Sequence, residues 1–390
     1  MKHTKCPCCS SVDLDDFLTI RNAPTQSLVT IKNRKEALAI PRKDIVLTFC
    51  NSCGFVFNSE FDTAIDYFSQ GYEDQQGFSQ TFVKFLSEVS GKFIDKYGIR
   101  NKRVVEVGCG KGDFLRLFCK AGNNRGTGID PAWVPGRGEE VPGVDFIPEF
   151  YSGKHGELKP DCITCRHTLE HIHDTDGFMQ TLRRSIPAGS SPVLFFEVPC
   201  IVRILEVQAF WDIFCEHCSY FSPGSLARLF RRNGFEVLDM FLEYENQYLF
   251  IEAKPVNSLS EAVHPMEEST EELRGMIRHF VEQLDLQLGE WRKRLVRYKR
   301  EGRKVVVWGG GSKSVGFLTQ FADLDAIAHV CDINPHMQGN FIPGIGKQYV
   351  GPSFLEEYNP DVVIVMNSVY MEEIRQDLAN RGLHPEMLGL

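Results

Sequence analysis

The chain has 390 residues, 43% of them hydrophobic and 24% charged, the composition of a soluble protein long enough for two or three domains. Its net charge of −9 argues against general nucleic-acid binding, which needs a basic footprint, and no apolar run marks a signal peptide or a membrane span. Thirteen cysteines without a secretory signal point to a reduced compartment, with cytoplasm as the expected location.

Residues 1–60 open with Cys6-Pro-Cys8-Cys9 and close with Cys50-Asn-Ser-Cys53-Gly54. Each CxxC turn presents two thiolates on one side, and two such turns complete a tetrahedral zinc shell from Cys6, Cys9, Cys50 and Cys53. Cys8 is an alternative to Cys9. A closed shell of this kind is structural and is assigned no chemistry. Residues 61–100 form an aromatic-rich connector with Tyr67, Phe68, Tyr72, Phe78, Phe82 and Phe85, and a predicted helix over Phe82–Tyr97. The connector either packs the first domain on the second or also lends Tyr72 to an active site.

Residues 101–254 read as alternating strands and helices. Val104–Val107 is a short buried strand running into Glu106-Val-Gly108-Cys-Gly110-Lys-Gly112, and a helix follows over Phe114–Ala121. Gly126–Asp130, Val144–Ile147, Asp161–Cys165 and Pro192–Val198 are further strands. Phe235–Asp239 and Asn246–Glu252 are spaced for an antiparallel terminal pair. Such a parallel sheet with crossover helices and a reversed last strand is the α/β architecture of class I methyltransferases, which use S-adenosylmethionine (SAM).

Gly108, Gly110 and Gly112 let backbone amides approach a ligand at a helix N-terminus. SAM lacks a pyrophosphate, so its carboxylate and ammonium must be held instead, and Glu106 favours the cationic end. Asp130, at the tip of the next strand, is placed to accept from both ribose hydroxyls. Arg166 and His167, just after the Asp161–Cys165 strand, are assigned to the same cofactor edge. The segment Glu170-His171-Ile-His173-Asp174 has a metal-like composition but is read as a loop entering a helix. Cys162/Cys165 and Cys215/Cys218 share the CxxC spacing incidentally.

Glu216-His217 lies between the Pro192–Val198 strand and a helix starting at Pro223, on the edge where an open α/β sheet binds ligands. His217 titrates near neutrality and suits a general base, while Glu216 either orients it or holds a substrate hydroxyl. A carbon beside a ketone needs such a base before it can attack a sulfonium methyl. Hydroxyl or amine acceptors need less help.

Residues 255–302 hold a linker helix from about Ser269 to Arg300, with one apolar stripe from Leu273 to Tyr298. It serves as a spacer packed on its own chain or as a dimerising coil, so a monomer and a homodimer both remain open. Its basic end, Arg292–Lys304, complements the helix dipole. Residues 303–390 start a second α/β unit at Lys304–Trp308 with the turn Gly309-Gly-Gly-Ser312-Lys313, followed by Ile327–Cys331, Asp332 and Pro360–Asn367. Lys313 lacks the spacing of a Walker lysine, and the turn either cradles phosphate or belongs to a degenerate Rossmann-like domain.

With these motifs in view, the chain resembles the three-domain sugar C-methyltransferases of deoxysugar biosynthesis over essentially its whole length. The resemblance rests on the two CxxC pairs, Glu106–Gly112, Glu216-His217-x-Ser-Tyr-Phe-Ser222, Asp332–Gly344 and Pro360-Asp361. It implies a zinc-binding domain, a SAM domain and a C-terminal Rossmann-like domain. It also implies methylation at C-3 of a nucleotide-linked 4-keto-deoxysugar, with His217 as base, Glu216 as its partner and Tyr72 near the acceptor. The family commonly has Tyr-His where this chain has Phe214-Cys215, and Tyr-Gly-Ala-x-Ala-Lys where it has Trp308–Lys313. Both departures bear on the acceptor. The alternatives are O- or N-methylation of another metabolite and a non-catalytic SAM-binding scaffold.

Overall fold

The computed structural model describes residues 2–65, 71–258 and 262–390; Tyr67 and Phe68 of the connector lie outside them. Three sheets organise the chain. The central one has seven strands in the spatial order Val144–Ile147, Arg125–Ile129, Arg103–Val107, Cys162–Arg166, Val193–Pro199, Tyr248–Pro255, Phe235–Glu243. The first five are parallel, and Tyr248–Pro255 runs antiparallel to both neighbours. This is the class I methyltransferase sheet. Its strand order reverses between Arg103–Val107 and Cys162–Arg166, and the crevice beyond that switch point is where such sheets bind ligands.

The N-terminal sheet is antiparallel, from Leu14–Pro24, Arg42–Cys50 and Val56–Asn58, and its fourth strand is borrowed: Ser219–Tyr220 pairs with Val56 and Phe57. Asn58 N–H donates to Cys218 O at 2.9 Å. The segment carrying Glu216-His217 is therefore held by the N-terminal sheet as well as by the central one. The sulfurs of Cys6 and Cys53 stand 3.7 Å apart and those of Cys9 and Cys50 3.5 Å. Those spans match the roughly 3.8 Å between thiolates on a tetrahedral zinc with bonds of about 2.3 Å. Cys8 is buried and is not one of the four grouped sulfurs.

The third sheet is parallel, in the order Tyr349–Val350, Ile327–Cys331, Val305–Trp308, Val362–Val365, Glu386–Gly389. Between the second and third sheets runs the helix Thr270–Arg300, started by a capping box between Ser269 and Glu272. Its buried stripe of Leu273, Ile277, Phe280, Leu284, Trp291, Leu295 and Tyr298 shares one apolar core with Ile204, Leu205, Val305 and Ile327. The stripe is thus used within its own chain. Arg292 pairs with Asp323, and Lys299 Nζ donates to Leu324 O at 2.7 Å, so this basic end braces the third sheet's connections. Among the described residues no helix is long and apolar enough to cross a membrane.

The helix Ser312–Gln320 docks on the turn Phe210–Asp212, where a Cβ built on Gly316 would stand 2.6 Å from the backbone oxygen of Trp211. Backbone cannot swing aside as a side-chain tip can. Gly316→Ala should therefore lower stability by about 1–3 kcal/mol despite alanine's better helix propensity, read as a drop in the thermal midpoint.

Candidate active site

A cavity of about 930 Å³ opens at the carboxyl edge of the central sheet. It runs from Gly108–Lys111 and Asp130, past His167, His171 and His217, to Gly309–Lys313 and Asp332 of the third sheet. That volume suits a donor and an acceptor together.

Gly108 has φ +70°, and a Cβ there would fall 1.9 Å from Thr168 Oγ1, so only glycine lets the first strand turn this tightly. Gly110 N–H donates to Asp130 Oδ2 at 2.8 Å and Ala132 N–H to Oδ1 at 2.7 Å. Asp130 therefore braces the turn from the neighbouring strand, and each oxygen retains a lone pair for a ribose hydroxyl. Gly112 does not border the cavity; a Cβ there would meet Phe146 at 2.4 Å, so its role is packing of the turn. Lys111, buried, donates from Nζ to Tyr72 O at 2.9 Å and Ala132 O at 3.0 Å, and so ties the connector over the turn.

Glu106 Oε2, Arg166 Nη2 and Asp74 Oδ1 are among the buried polar atoms at this end with no hydrogen-bond partner. Burial pushes Glu106 up to about 8, against the pull of Arg166. Arg166 spends its Nε on Glu197 and lies over the Phe114 ring at 4.4 Å. An amino-acid ligand carries an ammonium for the Glu106 oxygen and a carboxylate for the Arg166 nitrogen, so the residues fit SAM. Asp74 adds a carboxylate that sequence reasoning passed over. It borders the cavity 3.8 Å from Lys111 Nζ, and burial lifts it to about 6.

His167, assigned to the cofactor edge, also lines the cavity, but its ring sits between two carboxylates. Nε2 stands 3.0 Å from Glu197 Oε1 and Nδ1 3.4 Å from Glu170 Oε1. Burial disfavours its charge, yet Glu197 and Glu170 outweigh it and raise His167 to about 9. The result is a buried row of alternating basic and acidic side chains, Arg166, Glu197, His167, Glu170, of which all but Glu197 border the cavity.

His217 borders the same cavity, its ring 4.1 Å from that of Phe214 and 4.8 Å from that of His171. Burial first, then the neighbouring His171, His167 and Lys313, hold it well below its ordinary pKa, so at neutral pH it is a neutral acceptor. Glu216 is placed differently. It is 1% exposed and absent from the cavity lining, and its carboxylate takes hydrogen bonds from Ser27 N–H and Oγ–H. Burial lifts it to about 7 against those bonds. It positions the loop and does not face a substrate hydroxyl. Tyr72 lines the cavity, its phenol pushed well above 10 by burial and then by Glu216 and Asp74, so it remains a neutral donor. His173 turns away to stack near His3 and Phe61.

At the far end the third sheet repeats the first turn. Asp332 accepts from Gly310 N–H and from Asn334 N–H, as Asp130 does from Gly110 and Ala132. Lys313 Nζ donates to Gln247 Oε1 at 2.8 Å and pairs with Asp212 at 3.1 Å, joining this turn to the central sheet.

Residues 76–240 match the methyltransferase domain family and residues 251–382 the C-methyltransferase C-terminal domain family. The chain is 27% identical over 315 residues to C-methyltransferase NovU of Streptomyces niveus, covering 75% of this chain and 73% of that one. It is 36% identical over 113 residues to the ubiquinone biosynthesis O-methyltransferase of Actinobacillus pleuropneumoniae, covering 25% and 46%. Among solved structures, magnesium protoporphyrin IX methyltransferase of Synechocystis with bound S-adenosylhomocysteine (SAH) is similar at 15% identity, 47% and 90% coverage and TM-score 0.34.

The His167 charge makes stability depend on pH. Its folded pKa of about 9 exceeds the ordinary 6.5, so its contribution is complete below 6.5 and is lost as pH rises through 9. In urea titrations the advantage of the wild type over His167→Gln should be largest near pH 6 and shrink toward pH 10.

Proposed function

We propose that this chain, a member of the sugar C-methyltransferase family, methylates a carbon next to a ketone on a nucleotide-linked deoxysugar. SAM supplies an electrophilic methyl group on a sulfonium. The chain's own residues do the rest. Gly108, Gly110 and Asp130 seat the donor, with Glu106 and Arg166 toward its amino-acid end. His217 would take the proton from the carbon next to the carbonyl, and the enolate carbon so formed would accept the methyl as its bond to sulfur breaks and SAH leaves. Tyr72, kept as a phenol, donates to the oxygen on which negative charge develops. Four thiolates, from Cys6, Cys9, Cys50 and Cys53, would hold a structural zinc beneath the sheet that pins the His217 segment.

The observation that carries this reading is that a neutral imidazole borders the same cavity as the donor turn. The reach of that cavity to the glycine turn at Gly309–Lys313 supports an acceptor with a nucleotide handle. Methylation of an oxygen is the second reading, favoured by the local match to an O-methyltransferase.

His217→Asn should cut turnover by about 10²–10⁴-fold while calorimetric affinity for SAH is unchanged. Retained turnover would favour a heteroatom acceptor. The wild-type kcat/KM should keep its acid limb below the ordinary histidine value, because burial disfavours protonation of His217. NMR of the product from labelled SAM and a panel of nucleotide 4-keto-sugars separates a C-methyl from an O-methyl group.

A further inference from the structure

The donor end of the cavity holds a carboxylate to which the reaction above gives no part. Asp74, on the connector, hangs over the middle of the donor turn, its Oδ2 2.6 Å from where a Cβ on Gly110 would stand. Its Oδ1 is buried without a hydrogen-bond partner, and the residue borders the cavity with Glu106 and Asp130. The cations nearby are engaged elsewhere. Arg166 is paired with Glu197, and Lys111, 3.8 Å from Asp74 Oδ1, donates to Tyr72 O and Ala132 O. Burial first, then Asp130 and Glu73, outweigh the pull of Lys111 and lift Asp74 to about 6. Its charge is attenuated and not cancelled, so a further positive charge beside it is favourable.

SAM and SAH share adenosine, ammonium and carboxylate. They differ by one methyl group and by the positive charge on sulfur, which is lost when the methyl leaves. Asp130 marks the ribose end of the site, and Glu106 with Arg166 marks the amino-acid end. The sulfur joins those two parts of the donor. Gly110, whose N–H donates to Asp130, belongs to the turn that runs between them, and Asp74 lies over it. We propose that Asp74 is a specificity-determining residue of the donor site, whose negative charge favours the sulfonium of SAM over the neutral sulfur of SAH.

An opposite charge close by in a partly buried site favours the charged ligand by about tenfold. The donor is held by that attraction before transfer, and the product loses it as the methyl departs. Charge on sulfur is already dispersing in the transition state, so the interaction acts on donor binding more than on the chemical step. The segment carrying Asp74 is fixed on both sides. Tyr72 O accepts from Lys111, while Glu73 accepts from Arg137 Nη2 at 2.8 Å and from Asn334 Nδ2 at 3.0 Å. The preference rests on the donor site of the reading above and not on its acceptor, so it holds for a carbon or an oxygen nucleophile.

The test is calorimetric titration of the full chain with SAM and with SAH, without acceptor, at a pH about two units above the Asp74 value so that the group is ionised. Asp74→Asn, which keeps the side chain's size, should weaken SAM about tenfold and SAH less than about twofold. Asp74→Glu, which restores the charge, should return the ratio of the two affinities to within about threefold of wild type, with thermal unfolding confirming the fold of both variants. Equal weakening of SAM and SAH in the asparagine variant, as a purely structural role of the connector would give, overturns the proposal. So does an unchanged SAM affinity, or a glutamate variant whose ratio matches that of asparagine. Absence of any binding by the wild type overturns the donor site itself, so the two failures are distinguishable.

Discussion

The structure depends on one buried carboxylate. Glu216 accepts from Ser27 in the loop after the strand Leu14–Pro24, and Ser27 Oγ lies 2.7 Å from Ser312 Oγ at the glycine turn of the third sheet. Three segments far apart in sequence meet at a single side chain. The backbone oxygen of the same residue fixes the His171 ring, and the next residue is His217. A buried carboxylate is costly, and it is tolerated where its hydrogen bonds enforce a unique arrangement. Here the enforced arrangement is that of the cavity, whose two ends belong to different sheets.

The two ends are built on one plan. In each, a strand runs into glycines, and the aspartate ending the neighbouring strand clamps the turn through two backbone amides, Asp130 in one case and Asp332 in the other. Their surroundings differ. The Asp130 end has orphaned Glu106 and Arg166 atoms to meet a zwitterion. At the Asp332 end Lys313 is already engaged with Gln247 and Asp212. One turn is therefore equipped for an amino-acid ligand, and the other has its cation committed to holding the sheets together. Similar backbone geometry does not make them the same site.

Much of this was legible in the residues because it is local. Strand, glycine turn and following aspartate lie within about thirty residues, and each CxxC pair within four. What the sequence hid is set by contacts between distant segments. Nothing around Ser27 announces that it receives Glu216, 189 residues later. Asp74 and Glu197 likewise gain meaning only from partners on other elements. Glu216-His217 reads as a pair of functional groups, but adjacent side chains on an extended loop point apart. Only the histidine reaches the cavity. Glu170 and His171 stood in plain view as a metal-like segment, and their separation from His173 follows from the 3₁₀ turn Leu169–His171, which ends before it. Gly112 looked like a ligand glycine and instead makes room for Phe146.

The departure at Phe214-Cys215 has a structural consequence. Phe214 lies against the His217 ring, and Cys215 Sγ sits 3.9 Å from Ala23 O in the core. Phe214 makes this wall apolar, and it cannot donate to an oxyanion. Stabilisation of the developing enolate must therefore come from other groups that border the cavity, the Tyr72 phenol and the charged His167. A base flanked by an apolar wall stays neutral and ready to accept a proton. It also becomes a poor partner for a charged intermediate unless another group supplies the charge.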